Sequence, residues 1–208
     1  MRDAAKDQAD GGKLDEAIKH LAQSLAAAFW VDETHLQRKH GARVFQEERI
    51  AARELCALIQ SRKSRFSDSI LQGFIDQLLQ ADRLLASVAI DEAVEDNMSG
   101  KKVEQAQRFL ARGDSDAGDK HCGNGTEDYM QAWKRVARPS VEPVRHKDGS
   151  VRLEIAAEPG DRLVIKASSN LRDWVTLGRC TIDADGLADH EDREARGHGA
   201  RFFRVFEE

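Results

Sequence analysis

The apolar residues of this chain change their spacing once, near Pro139, and no single continuous fold class accommodates both rhythms. Before that point they recur at three- and four-residue steps, the period of one helix face. Leu14, Ile18, Leu21, Leu25 and Phe29 draw the first stripe, and Val44, Phe45, Ala51, Ala52, Leu55, Leu58 and Ile59 the second. A third stripe follows Ser67, a residue suited to cap a helix N-terminus, with Ile70, Leu71, Phe74, Ile75, Leu78, Leu85, Ala86 and Ala89, and runs to about Ala93. Val103, Ala106 and Leu110 mark a fourth helix; Tyr129 and Trp133, four apart and so on one face, mark a fifth with Val136 or Ala137. Helices of this kind joined by short connections predict an antiparallel bundle.

After "ARPSVEP" the period is two. Val151, Leu153 and Ile155 alternate with Arg152 and Glu154, and Leu163 and Ile165 with Arg162, Val164 and Lys166. The "EPGD" between these runs has turn chemistry and predicts that the two strands pair as a hairpin. "WVTLGRCTI" and "ARFFRVF" supply further strands. All three prolines, Pro139, Pro143 and Pro159, lie after residue 138. The expectation is α+β as two separate domains: 1–13 frayed or disordered, 14–138 a bundle of about five helices, 139–150 a linker and 151–208 a small antiparallel β-sandwich.

A charged fraction of 33% beside 40% hydrophobic residues is that of a chain able to bury cores. The net charge of −5 gives no general attraction to nucleic acid or anionic lipid. Residues 37–65 are locally basic, with a balance of +5, but their one aromatic residue, Phe45, belongs to the apolar stripe and none interleaves with the charges for base stacking; such charges are the wet side of a helix. No apolar run approaches the roughly 20 residues of a membrane helix, and the N-terminus has no apolar leader. Cys56, Cys122 and Cys180 are widely spaced and allow at most one disulfide; Cys56, on a helix's apolar face, reads as a small buried hydrophobe.

No pattern for catalysis emerges. His121 and Cys122 are sequence neighbours, whereas a catalytic thiol needs a base brought from elsewhere in space, so the pair reads as a loop. His35 and His40 are five apart and share no helix face, which leaves Asp32 without a metal-binding partner set. "DADGLADHEDRE" has Gly186 fourth after Asp183, not sixth, and reads as a solvated turn. "RGDS" at Arg112–Ser115 ends a helical stripe, with Gly113 closing or kinking the helix. The phosphate-binding, dinucleotide, nucleophile-elbow and zinc-helix motifs are absent, so the sequence predicts no enzyme, no cofactor and no metal.

The helical part resembles a module recurring in large secreted or surface bacterial proteins: a tryptophan–aspartate turn, a "GxxVF" helix start, an "aDR-LA" helix and a closing hairpin. Trp30, Asp32, His35, Leu36, Gly41, Val44, Phe45, Ala81, Asp82, Arg83, Leu85, Ala86, Ala106, Gly113, Asp114, Tyr129, Ala132 and Trp133 occupy the matching places. The tail resembles a small fibronectin-like β domain at the C-termini of exported proteins of environmental bacteria. Ser169, Asn170, Leu171 and Trp174 match its "S-x-(D/N)-L-x-x-W", and Asp192, Arg201, Phe202, Phe203 and Arg204 its acidic residue and closing "R-F-(Y/F)-R".

These resemblances imply a non-catalytic spacer or adhesion scaffold, extracellular or at the cell surface if the chain is part of a longer protein. The expected core is Trp30, Phe45, Leu55, Phe74, Leu85, Tyr129, Trp133, Trp174 and Phe203. The alternative is a binding module for a protein or glycan partner, using the β domain with Trp174 as a stacking platform or a groove of the bundle, favoured by an exposed aromatic strip beside Trp174 or an open apolar groove; a second alternative is an uncharacterised enzyme, which no motif supports.

Overall fold

The computed structural model describes residues 2–62, 64–118 and 124–208, and the chain divides into two compact units, Met1–Ala137 and Arg138–Glu208. The first holds five helices: α1 (Arg2–Ser24), α2 (Ala42–Ser61), α3 (Asp68–Glu95), α4 (Gly100–Gly118) and α5 (Asn124–Val136), with a short 3-10 turn at Ala27–Phe29. Ser67 caps α3 as its sequence position predicts, its hydroxyl accepting from the Ile70 N–H. No described helix is long and apolar enough to cross a membrane.

α5 is the central element, packing against α2, α3 and α4, while α1 packs on α2. Phe45, Leu55, Tyr129 and Trp133 are buried, and the Phe45 and Trp133 rings meet at 5.9 Å between centroids. Trp30 and Leu85 are half-buried against the same core. Cys56 is buried as well, and it is disulfide-bonded rather than a free hydrophobe; the Cys180 thiol is free.

Three expectations about the helical unit change. α1 begins at Arg2, well ahead of Leu14, because "RDAAKDQA" consists largely of residues with good helix propensity. Phe74 is 53% exposed and is not a core residue. The buried line of α3 runs through Leu71, Ile75, Leu79, Ala86 and Ile90, and Ile70 and Phe74 lie on the neighbouring line, one residue earlier and so about a quarter-turn away. Of the first stripe, Leu14 and Leu21 of α1 and the following Phe29 pack half-buried against the core beside buried Ala17, while Ile18 and, just after α1, Leu25 are exposed.

The second unit contains six strands, β1 (Ser140–Arg145), β2 (Val151–Ala156), β3 (Arg162–Ser168), β4 (Val175–Thr181), β5 (Leu187–Asp192) and β6 (Phe202–Glu207). They form two three-stranded antiparallel sheets, ordered β1-β2-β5 and β4-β3-β6, a β-sandwich-like arrangement. Val151, Leu153 and Ile155 of one central strand and Leu163, Ile165 and Ala167 of the other are buried, and Phe203 and Val205 pack against them half-buried.

Here too the structure corrects the expectation. β2 and β3 do not pair as a hairpin; each is the centre of its own sheet, and "EPGD" carries the chain from one sheet to the other, with Gly160 at φ +89°. Two adjacent strands that both bury a full face bury more apolar area in facing layers than side by side. Residues expected to be linker form β1, an edge strand, where a proline such as Pro143 is tolerated.

Candidate functional site

Alternation about the buried residues assigns the outward side chains of β4-β3-β6. Val164 and Lys166 of β3 and Phe202, Arg204 and Phe206 of β6 point away from the core, with Phe202 39% and Phe206 44% exposed. Trp174, expected as a core plug, is half-buried and stands outside the buried cluster. The Arg204 guanidinium lies 4.5 Å from its ring centre, and the Lys166 ammonium lies 5.5 Å from that of Phe206. Lys166 and Arg204 are direct cross-strand partners. The two ring-and-cation pairs meet where Lys166 of β3 faces Arg204 of β6, with Trp174 contributed by the loop before β4.

The loop before Trp174 explains why the sequence places it there. Ser168 Oγ accepts from the Asn170 N–H at 3.2 Å, and Asn170 Oδ1 accepts from the N–H groups of Arg172 and Asp173, each at 2.9 Å. Leu171 takes φ +63°, a conformation uncommon for a leucine and held here by those bonds. The indole N–H then donates to Leu171 O at 3.3 Å, which orients the ring.

The other residues of the tail pattern also converge. Arg201 Nε donates to Asp192 Oδ2 at 2.8 Å, and both side chains are almost fully buried. Asp192 Oδ1 accepts from the Glu194 N–H at 3.1 Å, and Arg201 Nη2 has no partner among the described residues. This pair is a structural clasp rather than a ligand site. "DADG" is a turn: Asp183 Oδ1 accepts from the N–H groups of Asp185 and Leu187, each at 2.9 Å, and Gly186 has φ +82°. Among the described residues no group of carboxylates, histidines or cysteines is arranged to hold a metal ion.

In the helical unit the polar residues of the sequence pattern are absorbed by the fold. Asp32 Oδ1 accepts from the N–H groups of Thr34 and His35, and His35 bridges Asp32 at 2.8 Å through Nδ1 and Glu92 at 2.6 Å through Nε2. These contacts hold the Asp32 carboxyl down to about 2, through the Thr34 N–H first and His35 second, and raise His35, chiefly through Asp32 and then Glu92. Of "RGDS", Arg112 pairs with Asp128, and Asp114 accepts from Arg83 at 2.7 and 3.1 Å and from the Tyr129 hydroxyl at 3.0 Å. α4 continues past Gly113 to Gly118, so that glycine neither closes nor crowns a loop. His121 and Cys122 lie outside the described residues.

The sequence reading missed a pair of buried carboxyl groups. Glu48 of α2 is 8% exposed and Asp82 of α3 is fully buried; Thr126 of α5 donates to Asp82 Oδ2 at 2.7 Å, while the Ser24 hydroxyl of α1, beside Glu48, donates to Leu21 O at 3.0 Å. Glu48 Oε2 and Asp82 Oδ1 have no donor among the described side chains, a need met when Asp82 is protonated and donates to Glu48. Burial raises both acids, Asp82 strongly, and the Glu48 charge raises Asp82 further. The available signal was Asp82 itself, a charged residue on the same line as Leu71, Ile75 and Ala86.

A raised folded-state value means that the native state holds a proton the unfolded chain releases. The contribution to stability is full below the ordinary carboxyl range near 4 and is lost as pH rises through the raised value. His35 adds a slope of the same sign starting near its ordinary value of about 6.5. Asp82→Asn keeps an acceptor for Thr126 and an N–H donor for Glu48 with no proton to lose. The expected result is a melting temperature raised by roughly 5 °C at pH 8 and little changed at pH 4.5, measured by circular dichroism at 222 nm; equal shifts at both pH values would remove the shared proton.

Comparison with known proteins finds no family model, no curated protein and no solved structure that matches this chain.

Proposed function

We propose that the chain is a non-catalytic scaffold and binding portion of an exported or surface multidomain protein, in which the helical unit is the packed support and the outer face of β4-β3-β6 the contact surface. The observation that carries this reading is the outer-face group of half-buried Trp174 and Lys166 with exposed Arg204 and Phe206: two rings beside two cations that no carboxylate neutralises among the described residues. Arg179 on the same sheet face does have such a partner, Glu208 at 2.7 Å.

The strand order of the two sheets is compatible with the fibronectin-like resemblance of the tail. The disulfide at Cys56 supports an oxidising compartment and hence export. Asp82 is sealed in the core and Asp114 is engaged by Arg83 and Tyr129, which favours a structural role for both.

A chain of net charge −5 has no bulk reason to adhere to an anionic matrix, so retention there reports a local site. The full chain is expected to be retained at low salt on immobilised acidic polymer and to pass a neutral polysaccharide column, and the double variant Trp174→Ala, Arg204→Ala to elute with the void at an unchanged melting temperature. No retention of the wild type, or equal retention of the variant, would remove this face as the contact surface.

A further inference from the structure

The proposed contact face carries enough detail to name a ligand class, and the following rests on that reading. Lys166 and Arg204 stand directly opposite each other on neighbouring strands, an arrangement that is unfavourable for like charges unless an anion lies between or above them. Neither is paired with a carboxylate among the described residues. Each is instead set over an aromatic ring, Arg204 at 4.5 Å from that of Trp174 and Lys166 at 5.5 Å from that of Phe206, so the face holds two ring-and-cation units. The Arg204 guanidinium makes no hydrogen bond to a described side chain, which leaves its N–H donors for a carboxylate in the fork that suits bidentate pairing.

We infer that this face binds an acidic polysaccharide built of uronic-acid units, with carboxylates on Arg204 and Lys166 and pyranose rings against the parts of Trp174 and Phe206 that those cations leave uncovered. The chemistry favours this class for three reasons. The backbone of β3 is fully paired, to β4 on one side and β6 on the other, so recognition on this face comes from side chains and not from strand addition. An acidic peptide offers carboxylates without a flat apolar face beside each one, whereas a uronate sugar carries both on every unit. A single-stranded nucleic acid offers flat bases, but its charge at each nucleotide calls for a longer cationic track than two residues on a chain of net charge −5.

The opposite sheet supplies the main competitor. The outward positions of β1-β2-β5 include Glu142, Glu154, Asp189 and Glu191 against Arg152, so a second copy of the chain could offer its acidic face to the basic one.

The test is calorimetric titration of the full chain with a galacturonate hexamer, a neutral glucose hexamer, a short poly-glutamate and an oligothymidylate, with sedimentation velocity at low and high salt alongside. The expected result is saturable binding of the galacturonate hexamer alone, weakened roughly tenfold or more in each of Trp174→Ala, Arg204→Gln and Lys166→Gln, with melting temperatures unchanged and the chain monomeric. Two variants on one ring-and-cation unit and one on the other separate a two-unit site from a single cation. Preference for poly-glutamate or oligothymidylate, or self-association lost in Arg204→Gln, would overturn the uronate assignment and leave the contact face standing. Failure of every ligand, together with no retention on any acidic matrix, would remove both.

Discussion

Arg201→Met is expected to destabilise the β unit by about 3–5 kcal/mol, the cost typical of removing one partner from a buried ion pair. Arg201 and Asp192 are 5% and 2% exposed at the side chain, so neither is solvated when its partner is lost. In the variant the Asp192 carboxylate keeps the Glu194 N–H as a neighbour but no cation. A unit as small as Arg138–Glu208 has a total stability of the same order as that loss. Amides of β3 and β6 are therefore expected to exchange close to the unfolded rate at 25 °C.

The same physics gives the control. Replacing both members, Arg201→Met with Asp192→Leu, exchanges a desolvated pair for apolar volume and is expected to recover most of the loss, because buried ion pairs are often close to neutral against hydrophobic substitutes. Hydrogen exchange read on peptides from β3 and β6 measures both steps. Protection within a factor of a few of wild type in Arg201→Met alone would show that the clasp contributes little.

The period change near Pro139 made the α+β division legible, and Ser67, Tyr129 and Trp133 were readable because capping and four-residue spacing act locally. Positions that depended on which neighbours arrive were not. Phe74 and Ile75 are equally apolar and adjacent, and the choice of the buried one belongs to the packing of α3 against α2, α4 and α5. The partner of β2 could not be read because alternation fixes which side chains point inward, not whether two strands lie side by side or face to face. Trp174 was misplaced for a related reason: a tryptophan after a turn is apolar payload on either side of a sheet, and the Asn170 loop decides the side. Asp82 was quoted in the sequence pattern, yet its burial beside Glu48 required two helices to be in place.

Gly113 shows how the same residue type can have opposite energetic signs in one bundle. Glycine inside a helix costs about 1 kcal/mol relative to alanine, so alanine at an open helical position is expected to stabilise. Gly73 in α3 is such a position: a Cβ there meets nothing within 4 Å. At Gly113 a Cβ would stand 2.5 and 2.7 Å from Tyr129 ring carbons and 3.1 Å from the Gly125 carbonyl oxygen. The ring cannot withdraw cheaply, since Tyr129 is buried and its hydroxyl donates to Asp114, which Arg83 holds in turn. A Cβ at Gly125 would in turn lie 3.0 Å from Gly113 O, so the paired glycines set the approach of α4 to α5. Overpacking of a well-filled site costs about 1–3 kcal/mol and often more when the neighbour is anchored, which exceeds the propensity gain. Gly113→Ala is expected to lower the helical unit's melting temperature by roughly 5–10 °C and Gly73→Ala to raise it by a few degrees. In a Tyr129→Leu background, where the clashing ring edge is gone, Gly113→Ala is expected to lose most of its cost, a coupling that a double-mutant cycle reads directly. Gly113→Ala matching Gly73→Ala in sign, or an unchanged cost in the Tyr129→Leu background, would place the close approach elsewhere.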